Sequence, residues 1–232
     1  MMERRRTRWA IFAASVISAD GNPDAYLLRA LGRVLVRDGH EVTFYEERGN
    51  PALQRLLRHE GARGLDAFRT AYPDIIYRTI ERRAGADLVE WLTRTLATAD
   101  VALVQPGAPE QLATWVGRLT RRHLRTYLLH TGWSGQETAQ DIAVLEPSNF
   151  SGIFTGPSAV HNAVPSDRLR RLDALPDPEG FDDSAAATLL PAAEHLVAQI
   201  LAELDQGDSG AASPTPSAPH GRGMEESGPV TH

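Results

Sequence analysis

The chain of 232 residues contains no cysteine and no lysine; all 24 of its basic residues are arginine. The first absence excludes disulfides, thiol nucleophiles, Cys-ligated zinc and iron–sulfur clusters. The second excludes the phosphate-binding lysine of a Walker loop, Schiff-base chemistry and covalent pyridoxal phosphate. It also excludes a Tyr–Lys dehydrogenase pair and the lysine that a receiver domain needs at its fifth strand. No G-x-S-x-G elbow presents a serine nucleophile. No H-E-x-x-H or similar spacing predicts zinc, so no metal site is expected. No run is long enough to span a bilayer. With a net charge of −6 and a pI of about 5.7, the chain has no global basic field to hold nucleic acid or an anionic membrane.

What is present reads as globular: 42% hydrophobic and 23% charged residues, in a length that suits one core. Three segments are expected: a basic arm at 1–7, an α/β domain at 8–205, and a tail at 206–232. The tail, rich in Pro, Gly, Ser and Ala, has almost nothing to bury and is read as disordered. Its two histidines, His220 and His232, are too sparse for a metal site. Near the start, Arg4–Arg6 and Arg8 precede an apolar run, Trp9–Ala19. A cleaved export leader would look similar. The favoured reading is a buried first strand within Arg8–Ser15, because a helix and a second strand follow in βαβ order. A cytoplasmic location follows from that reading; export follows from the other.

Strand and helix periods then alternate. Trp9–Ala14 is a strand. Pro23–Asp38 is an amphipathic helix with Leu27, Leu28, Leu31 and Leu35 inward, capped by Asn22 and stopped by Gly39. Glu41–Glu46 is the second strand. Helices are predicted at Pro51–His59, Leu65–Tyr72, Ala86–Thr98, Pro109–Arg122 and Ser184–Leu204. Further strands are predicted at Asp74–Thr79, Val101–Gln105, Arg125–His130 and Gly152–Thr155. The sum is an α/β fold: one doubly wound, mostly parallel sheet of five or six strands.

Ligands of such sheets bind beyond the carboxyl ends of the strands. The candidate ligand-binding residues are those of the rim loops: Ser18, Gly21 and Asn22 after the first strand, Glu46 after the second, Gln105 and Gly107 after the fourth, Thr131 and Trp133 after the fifth, Thr155 and Gly156 after the sixth. The first loop ends at a helix N-terminus suited to a phosphate or carboxylate. It has one glycine where a dinucleotide fingerprint has three, so no cofactor is evident. His130 ends an apolar strand, and an imidazole there suits general-base work; Asp20 is the alternative base or its orienter. The bland counterparts are a His bonded to a loop carbonyl, turn-and-cap chemistry at Asp20–Pro23, a packed Trp133 and a solvated strand end at Glu46–Glu47. The basic stretch Arg118–Arg125 lacks interleaved aromatics and reads as a solvated face.

The stretch from Trp9 to Glu47, with an LxRAL helix (Leu27–Leu31) leading to Gly39-His40-Glu41-Val42, resembles the opening of a GT-B glycosyltransferase, whose helix has the form LxRALxxxGHEV. Gly39–Glu46 and Phe154-Thr155-Gly156 are similar to segments of the CgeB-like (spore-maturation-type) group. The resemblance spans roughly residues 8–180. It implies the acceptor-binding N-domain of such an enzyme, holding a small molecule or glycan acceptor at the rim, with His130 and Asp20 as its catalytic candidates. It implies a nucleotide sugar only if a second domain or partner supplies the donor half, and hence a protein partner or a homo-oligomer. The alternative expectation is a non-catalytic interaction or regulatory protein on a flavodoxin-like scaffold.

Overall fold

The computed structural model describes residues 5–18, 23–106, 108, 110–119, 123–133, 139–156, 164–172, 175–176 and 185–209. Seven strands form one sheet: β1 Arg8–Ala13, β2 Glu41–Glu47, β3 Ile76–Ile80, β4 Val101–Val104, β5 Arg125–His130, β6 Gly152–Thr155 and β7 Leu169–Arg171. Their order is β3-β2-β1-β4-β5-β6-β7, and every neighbouring pair is parallel. The helices are α1 Pro23–Arg37, α2 Pro51–Glu60, α3 Ala62–Ala71, α4 Gly85–Thr95, α5 Glu110–Arg118, α6 Ala139–Val144, α7 Ala185–Thr188 and α8 Leu190–Ser209.

The apolar run near the N-terminus is therefore the central strand. Strand alternation divides it between two cores. Trp9, Ile11 and Ala13 face a layer built by α1, α3 and α8, while Ala10 and Phe12 face α4, α5 and α6. β4 and β5 divide likewise, which is why both read as unbroken apolar runs rather than alternating ones. The first crossover turns at Gly39, whose φ of 85° suits a residue without Cβ. Next to it, His40 Nδ1 accepts the Thr7 backbone N–H at 3.2 Å, tying the α1–β2 turn to the start of β1.

The prediction of one doubly wound parallel sheet holds, with differences of detail. The strand order places β1 between β2 and β4, whereas a flavodoxin-like sheet flanks β1 with β2 and β3; that expectation is corrected. β7 is a seventh strand that the pattern did not reveal, since Leu-Arg-Arg is three residues long and mostly half-exposed. α6 and a 3-10 turn at Pro147–Asn149 were also not predicted. The closing helix is two helices, broken at Leu189. Pro191 has no N–H to give the preceding turn, and its ring would strike the carbonyl of Ala187 in a continuous helix. α8 runs to Ser209, four residues into the segment read as tail.

Candidate functional site

In the order 3-2-1-4, the sheet reverses direction between β1 and β4, and the crevice there is where such folds take ligands. The loop that leaves β1 at this point turns inward. Val16 and Ile17 are buried in the core beneath α1. A loop sunk in this way must find partners for its backbone polar groups, and neighbouring elements supply them. Gln105, 2% exposed at the end of β4, accepts the Ala14 N–H on Oε1 at 3.0 Å. Asn50 donates Nδ2 to the Ala14 carbonyl. Glu46, fully buried at the end of β2, accepts the Val16 N–H on Oε2 at 3.2 Å. Arg29 of α1 donates to the carbonyls of Val16, at 2.9 Å, and Ile17. The Ser15 hydroxyl donates to the carbonyl of Ser18, itself buried, at 2.9 Å.

Glu46 is thus not the solvated strand end expected of it. Its other contacts are Asn50 Nδ2 at 3.1 Å and the Tyr77 hydroxyl at 3.4 Å. Burial pushes its carboxyl above the usual carboxylate range; the bonds from Asn50, from the backbone of Val16 and Ile17, and from Tyr77 pull it part of the way back. Tyr77 is raised in turn, first by its own burial and then by the Glu46 charge beside it. Asn50 also caps α2 through Oδ1 and the Ala52 N–H at 2.8 Å. Of these partners, Asn50 before Pro51 carries a sequence signal, that of a helix start. Arg29 carries only the weak signal of a cation interrupting the apolar stripe of α1.

A second group gathers at the ends of β5 and β6. His130 and Thr155 are direct partners in the parallel register. Alternation sets both on the face shared by Leu128 and Ile153. Both are buried, at 2% and 0% exposed. The Thr155 hydroxyl has no hydrogen-bond partner among the described residues. Thr131, also buried, donates its hydroxyl to Asp24 Oδ1 at 2.5 Å and accepts the Trp133 N–H at 3.2 Å. This links the first turn of α1 to the β5 end. Gly156 donates its N–H to the His130 carbonyl at 3.1 Å. A Cβ built on Gly156 would lie 2.2 Å from the Thr131 carbonyl oxygen, so the two loops approach as closely as only glycine permits. Trp133 is half-buried and packs against the core under α1.

The predicted site residues therefore fall into two groups. Ser18, Glu46 and Gln105 belong to the network that secures the β1 loop. His130, Thr131, Trp133, Thr155 and Gly156 lie at the β5–β6 rim, His130 and Thr155 on the face toward α6, Thr131 tied to α1 and Trp133 against the core beneath it. Asp20, Gly21, Asn22 and Gly107 lie outside the described residues, as does His161. Among the described residues, no group of three or more His, Asp or Glu is placed to hold a metal ion. No helix among them is long and apolar enough to cross a membrane.

No family model matches the chain. No curated protein matches it either. Among solved structures, a crystal structure of 3-hexulose-6-phosphate synthase is similar over 81% of this chain and 99% of its own, at 14% identity and a TM-score of 0.25. The expected membership among GT-B, CgeB-like glycosyltransferases is corrected on these findings. No family model and no curated relative supports the resemblance. The reading as a half-enzyme awaiting a donor domain is withdrawn with it. An overlap of 0.25 transfers nothing from the synthase to this chain.

Proposed function

We propose that this chain is a binding domain for a small polar molecule, taken up at the carboxyl rim of β5 and β6. The observation that carries the reading is the fully buried Thr155 hydroxyl, without a partner among the described residues, beside His130 in register. Leaving a buried hydroxyl unsatisfied costs about 1–3 kcal/mol. A ligand oxygen or nitrogen at this point completes it. In this reading Thr155 and Thr131 orient the ligand, and His130 exchanges a proton or hydrogen bond with it. Gly156 lets the β6 loop close against the Thr131 backbone, which fixes the rim beside Thr155.

The test is Thr155→Val, which replaces the hydroxyl by a methyl of the same shape. The native protein is examined by mass spectrometry for a retained small molecule, and by thermal shift against a panel of polar metabolites. The expected result is a ligand that raises the wild-type midpoint and is lost in T155V. The apo stability of the variant should rise, by about 1–3 kcal/mol at most, because valine leaves no unpaired hydroxyl. A variant that binds as well as wild type, or a wild type that responds to nothing in the panel and carries nothing, overturns the reading.

A further inference from the structure

At the opposite end of the sheet from this rim, the structure holds an open cavity of about 570 Å³. Three arginines line it. Arg125 is the first residue of β5, Arg168 precedes β7, and Arg170 lies within β7. The one carboxylate in its wall is Glu203 of α8, so three positive charges face one negative and two are in surplus. Glu203 is committed. It accepts Arg170 Nε at 2.7 Å on one oxygen and the Tyr127 hydroxyl at 2.9 Å on the other. Arg168 is held loosely, through 3.3 and 3.4 Å contacts from Nη1 to the carbonyls of Phe150 and Ser151, and its side chain is 41% exposed. Its carboxylate neighbour Asp167 lies 3.3 Å from Nε and is 74% exposed, so water competes for that pair.

The geometry points to a binding site for the phosphomonoester of a small molecule. A phosphate dianion matches the two surplus charges: Arg125 offers its oxygens a planar fork of N–H donors, Arg168 can exchange its long carbonyl contacts for them, and Arg170, whose Nε and Nη1 are spent on Glu203 and on the carbonyls of Asp167 and Leu169, contributes mainly charge. The cavity is larger than a phosphate ion alone requires and falls within the range of small-molecule sites. Asn149, Ser151 and Gln206 in the wall supply polar contacts for the carbon-bearing part of the ligand. The site shares no residue with the β5–β6 rim, so each stands or falls by itself.

Titration calorimetry of the whole chain with inorganic phosphate, glycerol 2-phosphate and glycerol tests the assignment. Saturable binding is expected for both phosphates, tighter for glycerol 2-phosphate, absent for glycerol, and weakened by added salt. Arg168→Gln is expected to weaken it at least tenfold. Arg125→Gln makes the same test should Arg168→Gln fail to fold. Glu203→Gln removes the competing carboxylate and is expected to tighten binding several-fold, a result that a merely structural arginine cluster would not produce. Arg6→Gln, which removes a guanidinium paired instead with Glu41, leaves the affinity unchanged. Absence of saturable phosphate binding overturns the proposal, as does equal weakening by Arg6→Gln and Arg168→Gln or looser binding in Glu203→Gln.

Discussion

Glu46 has no exposed surface, yet two of its bonding partners, the Val16 N–H and the Asn50 amide, are neutral donors that favour the charged form only in part. Burial wins, and its carboxyl is raised above the ordinary range. A raised carboxyl binds its proton more tightly folded than unfolded. Its contribution to stability is fully present below the ordinary carboxylate value, near about 4.3. It is lost as the pH rises through the higher folded value. Glu46→Gln removes this titration while keeping an oxygen for the Val16 N–H. Denaturant midpoints measured from acid to neutral pH should therefore fall for wild type relative to E46Q across that window, and the two should run parallel above it. Parallel curves throughout would show that Glu46 titrates as an exposed carboxylate does. The sequence marks Glu46 as a polar residue at a strand end, which suits water equally well. What buries it is the β1 loop folding back over β2, a contact between segments 30 residues apart that local pattern does not carry. Gln105 is the same case: its role depends on a neighbouring strand. His130 and Thr155, by contrast, were legible as candidates because each ends an apolar run whose parallel pairing fixes where its last residue lies.

Elements with a strong period and a punctuating residue came through the sequence almost unchanged. β5 and β6 have the bounds that their apolar runs predict, and α1 ends within a residue of its expected stop, ahead of Gly39. β3 lies two residues later than predicted at its start, because Asp74 and Ile75 belong to the turn that follows α3. The closing helix shows period and punctuation in conflict. Leucines at 189, 190 and 196 suggest one long helix, but the backbone obeys the proline between them. Pro191 lies in the first turn of α8, where its missing N–H is lost to no hydrogen bond and its fixed φ suits the helix. Removing it enlarges the unfolded ensemble more than it improves the fold. Pro191→Ala should accordingly lower stability by about 0.4–1 kcal/mol, read from the urea midpoint, with the break at Leu189 retained. A more stable variant with added helical circular dichroism would show that the proline strains the α7–α8 junction instead.

Across the molecule the sheet separates two apolar layers, and the parity of each strand residue assigns its side chain to one of them. This is why the fold class was legible from alternating elements while the family was not. Burial on both faces requires only apolar strands and one-sided helices, a requirement that many unrelated chains meet. The GHEV turn that carried the resemblance to glycosyltransferases has a local cause of its own. Gly39 takes the left-handed turn, and His40 receives the Thr7 N–H. The two-layer arrangement makes a prediction about energetic coupling. Ile200 of α8 and Ile142 of α6 are both fully buried, in different layers with the sheet between them. Each Ile→Val change removes one methylene and should cost about 0.5–1.5 kcal/mol. Because the side chains share no neighbour, the double variant should lose the sum of the two to within about 0.5 kcal/mol. The sheet is common to both layers, so unfolding should remain a single transition by fluorescence and circular dichroism alike. A coupling well above that limit would mean that the sheet transmits a packing defect from one layer to the other, and two separate transitions would mean that one layer folds without its partner.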